Sequence, residues 1–236
     1  LISSLSGCRD TIRRYFKKMD SNFYEFYLYP LQDEVLAALT SLQTGFYLTG
    51  GTAASRGYLH HRYSDDLDLF VNYDDRFTLW AELIIDELSR RSTWQTVIRL
   101  RGESYVGLTV RREDVELRID LVKDVPAHVG TVYKHPTLGT IDTAENILAN
   151  KVTAVIDREQ PKDLADIWGF CTKMGLSLED AITGADSKAA GIFHADLARV
   201  LCTATEDDWR LIRWISAPDK EVFLADLRRL GEGLIL

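Results

Sequence analysis

The chain has 236 residues, 36 acidic and 28 basic side chains, a net charge of −8 and 46% hydrophobic content. That is enough for one large domain or two modest ones with real cores, and the acidic balance argues against coating nucleic acid by bulk electrostatics, though not against gripping one RNA end through a local basic patch. No apolar run approaches a membrane span, the start does not resemble a signal peptide, and Cys8, Cys171 and Cys202 are too few and scattered for disulfides or a zinc site, so no membrane association and a reducing cytoplasm are the default expectations.

In chain order, helix is expected at Thr11 to Lys18 and at Leu31 to Leu42, with Pro30 in the first turn of the second. Two local basic clusters stand out, Arg9, Arg13, Arg14, Lys17 and Lys18 first, then Arg56, His60, His61 and Arg62. The ordinary reading of the first is a solvated helix face. Phe46 to Thr49 reads as a short strand. Gly50-Gly51-Thr52 follows at a strand-to-helix passage, where free backbone N–H groups can hold phosphate. A short helix should run from Thr52 to Leu59. In the next strand, Asp66 to Val71, Leu67, Leu69 and Val71 alternate with Asp66 and Asp68, which puts both carboxylates on one face about 6.7 Å apart. Asp65 points the other way and reads as a turn residue or surface charge, and His60 and His61 as loop packing or solvated groups rather than metal ligands.

Asp74 and Asp75 offer an N-cap for an amphipathic helix with Leu79, Leu83, Ile84 and Leu88 inward. The period then becomes two, giving strands at Trp94 to Leu100, Tyr105 to Val110 and Val115 to Val122. In the last, Glu116, Arg118 and Asp120 share one face, so a third acid arrives beside Asp66 and Asp68. A short strand is expected at Thr131 to Tyr133. Beyond Asp142, which should cap a helix through Ile156, the pattern is helical: Pro161 to Lys173, a helix capped by Ser177, Leu197 to Cys202, Asp207 to Ile215 and Asp219 to Leu230. The natural boundary separates an α/β half, residues 1–141, from a helical half, residues 142–236.

Three gathered carboxylates repel. At an effective dielectric of about 20 and about 5 Å, each pair costs roughly 3 kcal/mol, so a cation is expected between them. Asp66, Asp68 and Asp120 therefore read as metal ligands of a two-metal nucleotidyl-transfer site; the plainer alternative is strand acids paired with nearby arginines. Lys151 lies on the apolar stripe of its helix and either snorkels outward or reaches a phosphate in a cleft. The next helix should bury Leu164, Ile167, Trp168 and Cys171, with Asp163 at the edge and Asp166 further round. A short linker makes the two helices antiparallel, bringing Asp166 within about a turn of Lys151. A structural ion pair is the plainer alternative there too.

Together these residues resemble the nucleotidyltransferase fold of the DNA polymerase β type, through Gly50-Gly51-Thr52, Asp66-Leu-Asp68 and Asp120. Within it the sequence is similar to the AbiEii/AbiGii toxin family, through Tyr47-Leu-Thr-Gly-Gly-Thr-Ala53, Arg62-x-Ser64-x-Asp66-Leu-Asp68, Lys151, and Lys162-Asp163-Leu-Ala-Asp166-Ile167. The likeness covers about residues 30–170. It implies an α+β fold, a mixed sheet flanked by helices, followed by a C-terminal helical bundle. It also implies a type IV toxin–antitoxin or phage-defence component that uses a nucleoside triphosphate and Mg²⁺. Some family members transfer nucleotides to the acceptor end of tRNA and block translation. By motif match, Asp66 and Asp68 bind metal, Lys151 contacts phosphate, Asp166 or Asp163 pairs with it, and Arg62 and Ser64 shape the loop near the nucleotide, with a cognate antitoxin as a further partner. Family members commonly carry a larger apolar residue where Ala54 or Ser55 stands, so the helix after the glycine turn should pack in its own way. Rival expectations are a small-molecule nucleotidyltransferase of the antibiotic-modifying kind and a non-catalytic nucleotide- or protein-binding module.

Overall fold

Seven strands form one mixed sheet in the order β3-β4-β5-β2-β1-β7-β6 in the computed structural model, which describes residues 21–186 and 194–235. The helix expected at Thr11 to Lys18, the basic cluster within it and Cys8 lie outside the described residues. The strands are β1 (Tyr47–Thr49), β2 (Leu67–Asn72), β3 (Gln95–Arg101), β4 (Tyr105–Arg112), β5 (Val115–Asp124), β6 (Tyr133–His135) and β7 (Gly139–Ile141). The expected strand at Thr131 to Tyr133 is displaced: the pairing begins at Tyr133, where β6 and β7 form a hairpin. β3, β4 and β5 make an antiparallel meander, β5 runs parallel to β2, β2 antiparallel to β1, and β1 parallel to β7.

Period-two patterning decides what the sheet buries. Val115, Leu117, Ile119 and Leu121 of β5 lie inside with Leu67, Leu69 and Val71 of β2. The polar residues between them, Asp68 and Asp120 included, face the other side. Helix α1 (Tyr29–Ser41), which continues a helical stretch beginning at Ser21, and helix α3 (Phe77–Ser89) pack against each other beside the sheet. The inner face of α3 differs from expectation. Phe77, Trp80, Ala81, Ile84, Ile85 and Leu88 are buried, whereas Leu79 and Leu83 are 59% and 40% exposed.

Helix α2 starts at the glycine turn as Gly50–Thr52 and runs on as a π-helix, Ala53–Leu59. The wider winding shows in the bond donated by His60 N–H to the Ser55 carbonyl, 2.7 Å. The Ser55 hydroxyl, fully buried, donates to the Arg62 carbonyl.

After β7 come α4 (Ala144–Arg158), α5 (Pro161–Lys173), α6 (Leu178–Asp186), α7 (His194–Cys202), α8 (Glu206–Leu211) and α9 (Lys220–Glu232). Thr143, not Asp142, caps α4, its hydroxyl accepting from Asn146 N–H. Asp142 is fully buried and instead accepts from the Thr49 hydroxyl and the Asn146 amide, which ties the end of β1 to the start of α4. The helix expected from Asp207 to Ile215 is shorter and stops at Leu211. Its remainder is extended and lies against the loop after α2, with a bridge between Arg62 and Trp214. Buried side chains from Leu48 and Leu117 through Ile147 and Leu197 to Phe223 belong to one hydrophobic core. No helix among the described residues is long and apolar enough to cross a membrane.

Candidate active site

The site begins where β1 ends. Gly50 turns the chain with φ +63°, a conformation L side chains rarely adopt, and a Cβ there would lie 2.1 Å from Asp68 Oδ2. A Cβ on Gly51 would stand 2.8 Å from an Arg62 guanidinium nitrogen and 3.1 Å from the Ser64 hydroxyl. The two glycines are there because Asp68, Arg62 and Ser64 close over the turn. Thr52 is fully buried, and its hydroxyl bonds Ser64 Oγ at 2.9 Å and the Asp66 carbonyl. This fixes the turn against the segment that carries the first acid.

Asp68 on β2 is paired in register with Asp120 on the adjacent parallel strand β5, so the two acids sit side by side about 4.8 Å apart at the backbone. Asp66 lies one residue before β2 begins. Burial pushes the Asp68 carboxyl above its ordinary value; Lys151 opposes that shift, and Asp66 and Asp120 add to it. Among the described residues the Asp68 carboxylate makes no hydrogen bond and no ion pair. Asp120 is engaged, among the described residues, on one oxygen: Oδ1 accepts from Arg99 at 2.5 Å and from the Tyr105 hydroxyl at 2.7 Å. Arg99 thus supplies for Asp120 the arginine partner of the plainer reading. As the side chains stand, no three His, Cys, Asp or Glu among the described residues are gathered closely enough to hold a metal ion.

The chemistry of the donors nevertheless suits Mg²⁺, which takes hard oxygen ligands. An unpartnered carboxylate, raised by burial and by two neighbouring acids, is a group that a cation would satisfy.

The helical side carries a buried ion network. Arg62 grips Asp166 with two bonds of 2.8 and 2.7 Å, Lys151 reaches both Asp163 and Asp166 at 2.7 Å, and Arg158 binds Asp163 at 2.7 and 2.9 Å. Asp163 and Asp166 are fully buried rather than at the helix edge or further round, because α4 and Arg62 close over that face, while Cys171 is only partly buried. Lys151, 4% exposed, neither snorkels nor projects freely into a cleft. Burial works against the charge of Asp166, yet Arg62 and Lys151 outweigh it and hold the carboxyl well below the ordinary carboxylate range. Asp163 is lowered against its own burial by Lys151 and Arg158. His61 contacts Asp166 through Nε2 at 3.0 Å, and burial pushes its imidazole below the ordinary value, so it packs the loop as a neutral ring.

Other residues that hold the loop had no signal in the sequence. Gln32, wholly buried, donates to the carbonyls of Ser64 and Asp65. Arg213 grips Asp65 and Tyr24, so Asp65 is a structural partner rather than a surface charge. Tyr63 stacks on Tyr24 at 4.2 Å, and its N–H donates to the Arg213 carbonyl.

The model of the AbiEii family, described as the nucleotidyl transferase toxin of a type IV toxin–antitoxin system, matches residues 34–212. The chain belongs to the AbiEii family. As a family member it is a nucleotidyltransferase of toxin–antitoxin type. Among solved structures, MenT4, a nucleotidyltransferase toxin from Mycobacterium tuberculosis, is similar with a TM-score of 0.62 and 17% identity, over 88% of this chain and 82% of MenT4. JHP933 from Helicobacter pylori gives 0.58 and 18%, over 86% of this chain and 90% of its own. At such identities the likeness shows the nucleotidyltransferase fold alone. No curated protein matches the sequence. The match to the AbiEii model spans the glycine turn, the three acids and the whole ion network.

Proposed function

We propose that this AbiEii protein transfers a nucleotide from a nucleoside triphosphate to an RNA acceptor, the 3′ end of tRNA, in a Mg²⁺-dependent reaction that blocks growth. In this reading it acts in the cytoplasm as the toxin of a toxin–antitoxin or phage-defence pair, with the antitoxin as its partner. The observation that carries the proposal is Asp68, a carboxylate without a hydrogen bond or ion pair among the described residues, packed against the glycine turn and in register with Asp120. Asp66, Asp68 and Asp120 would hold Mg²⁺, which when bound neutralises the triphosphate and activates the attacking hydroxyl. Gly50 and Gly51 add no side chain of their own to the turn, over which Asp68, Arg62 and Ser64 already close, and the backbone N–H groups at the start of α2 are the groups that phosphate oxygens would meet. The acceptor hydroxyl forms a bond to the α-phosphorus, its proton leaves to a carboxylate of the cluster, and pyrophosphate departs. Lys151 favours the charged form of Asp68 against its burial, and Asp163 with Asp166 keeps that lysine in place.

The test is incubation of the full chain with total tRNA and each labelled triphosphate. Label should appear at the tRNA 3′ end and vanish with chelator or with Asp68→Asn. That variant should melt no lower than wild type, because it removes a charge that burial disfavours. Transfer to a small alcohol with none to tRNA would overturn the RNA reading.

A further inference from the structure

A second group of side chains converges on the acid cluster from the edge of the sheet. β3 and β4 pair Ile98 with Leu108 and then Leu100 with Gly107, so Arg99 is the extra residue of a β-bulge. A bulge re-aims the side chain it carries. Here the guanidinium crosses β4, donating through Nε to the Leu108 carbonyl at 3.2 Å and through Nη2 to Asp120 Oδ1 at 2.5 Å. The Tyr105 hydroxyl reaches the same oxygen at 2.7 Å. Gly107, paired in register with Asp120, makes room for both: a Cβ there would lie 2.8 Å from the Tyr105 hydroxyl and 3.2 Å from Arg99 Nη2. A bulge, a glycine, an arginine and a tyrosine thus meet at one carboxylate oxygen.

Strand order gives this arrangement a direction. β4 and β3 lie on one flank of β5, and β2 with Asp68 on the other. Both donors therefore come from the flank away from Asp68, and among the described residues Asp120 Oδ2 accepts no hydrogen bond. We propose that Arg99 and Tyr105 are positioning residues that hold Asp120 by Oδ1, leave a single oxygen for a divalent cation, and so favour Mg²⁺ over Ca²⁺. Mg²⁺ is small and demands near-ideal octahedral geometry, whereas Ca²⁺ readily takes a carboxylate through both oxygens. A carboxylate with one oxygen already held is poorly suited to that second mode. Arg99 and Asp120 are 33% and 29% exposed, and an ion pair so open to water contributes little to folding. Orientation, rather than stability, is what the convergence achieves. The inference rests on the reading of Asp120 as a metal ligand.

The experiment adds Mg²⁺ or Ca²⁺ to the full chain and reads each affinity from the rise in melting temperature with ion concentration. Arg99→Gln and Tyr105→Phe should each shift the ratio of the two affinities toward Ca²⁺ by at least about fivefold, because a freed carboxylate can bind through both oxygens. Arg99→Gln also removes a cation, which should tighten both ions alike; both are divalent, so the ratio cancels that effect. Tyr105→Phe changes no charge and serves if Arg99→Gln does not fold. A merely structural role would lower the melting temperatures and leave the ratio where it was. An unchanged ratio in both variants, with Asp120→Asn weakening both ions, would overturn the positioning role while Asp120 stays a ligand. If Asp120→Asn binds both ions as wild type does, the metal reading of Asp120 falls and this inference with it. Neither outcome depends on transfer to RNA.

Discussion

Gly50 carries two separate demands, a left-handed backbone and the close approach of Asp68. Gly50→Ala should therefore cost about 1–3 kcal/mol in urea unfolding. It should also lower transfer at least about a hundredfold, since a displacement of about 1 Å at a reacting group has that effect. Recovery of wild-type rates by this variant would show that Asp68 is not at the reacting centre. At this scale the sequence was readable where the reason for a residue is local. The alternation of β2 placed Asp68, and the glycine pair marked its turn. Gln32 and Arg213 were not readable, because their partners at Asp65 lie 33 and 148 positions away and neither residue breaks a local pattern.

The network between α4, α5 and the loop after α2 is the element-scale counterpart. Asp166→Asn would leave Arg62 and Lys151 buried without their shared counter-charge, a loss of about 3–5 kcal/mol in urea unfolding. Asp163 and Asp166 have folded values below their unfolded ones, near 4. Their stabilisation is complete above that unfolded value and is lost as pH falls through the lower folded values. Wild type should therefore lose stability on acidification below about pH 4, and Asp166→Asn should lose less over the same interval, as followed by tryptophan fluorescence. Equal acid sensitivity of the two would contradict the pairing. The bounds of α5 were legible because Pro161 opens it and apolar spacing carries it to Lys173. The buried face of α3 was not. Apolar residues from Phe77 to Leu88 occupy more than one stripe, and only the packing of α1 and the sheet selects Trp80 and Ile85 over Leu79 and Leu83.

Across the whole molecule, the last helices brace the loop after α2. Phe223 on α9 is fully buried against Trp168 at 5.6 Å and Trp214 at 5.4 Å, and Trp214 bridges to Arg62. Phe223→Ala should cost about 3–5 kcal/mol. Transfer activity should fall together with this loss on heating; a variant that keeps full activity while α9 is loosened would separate the two. This coupling was invisible in the sequence, since a single backbone bridge at Trp214 leaves no periodicity. The bidentate grip of Arg62 on Asp166 joins positions 104 residues apart. Its consequence is hereditary. Loss of either side alone would use up about 3–5 kcal/mol of a total stability that is typically about 5–15 kcal/mol. Neither position can drift by itself, so descendants of this chain should vary at the two sites together or not at all.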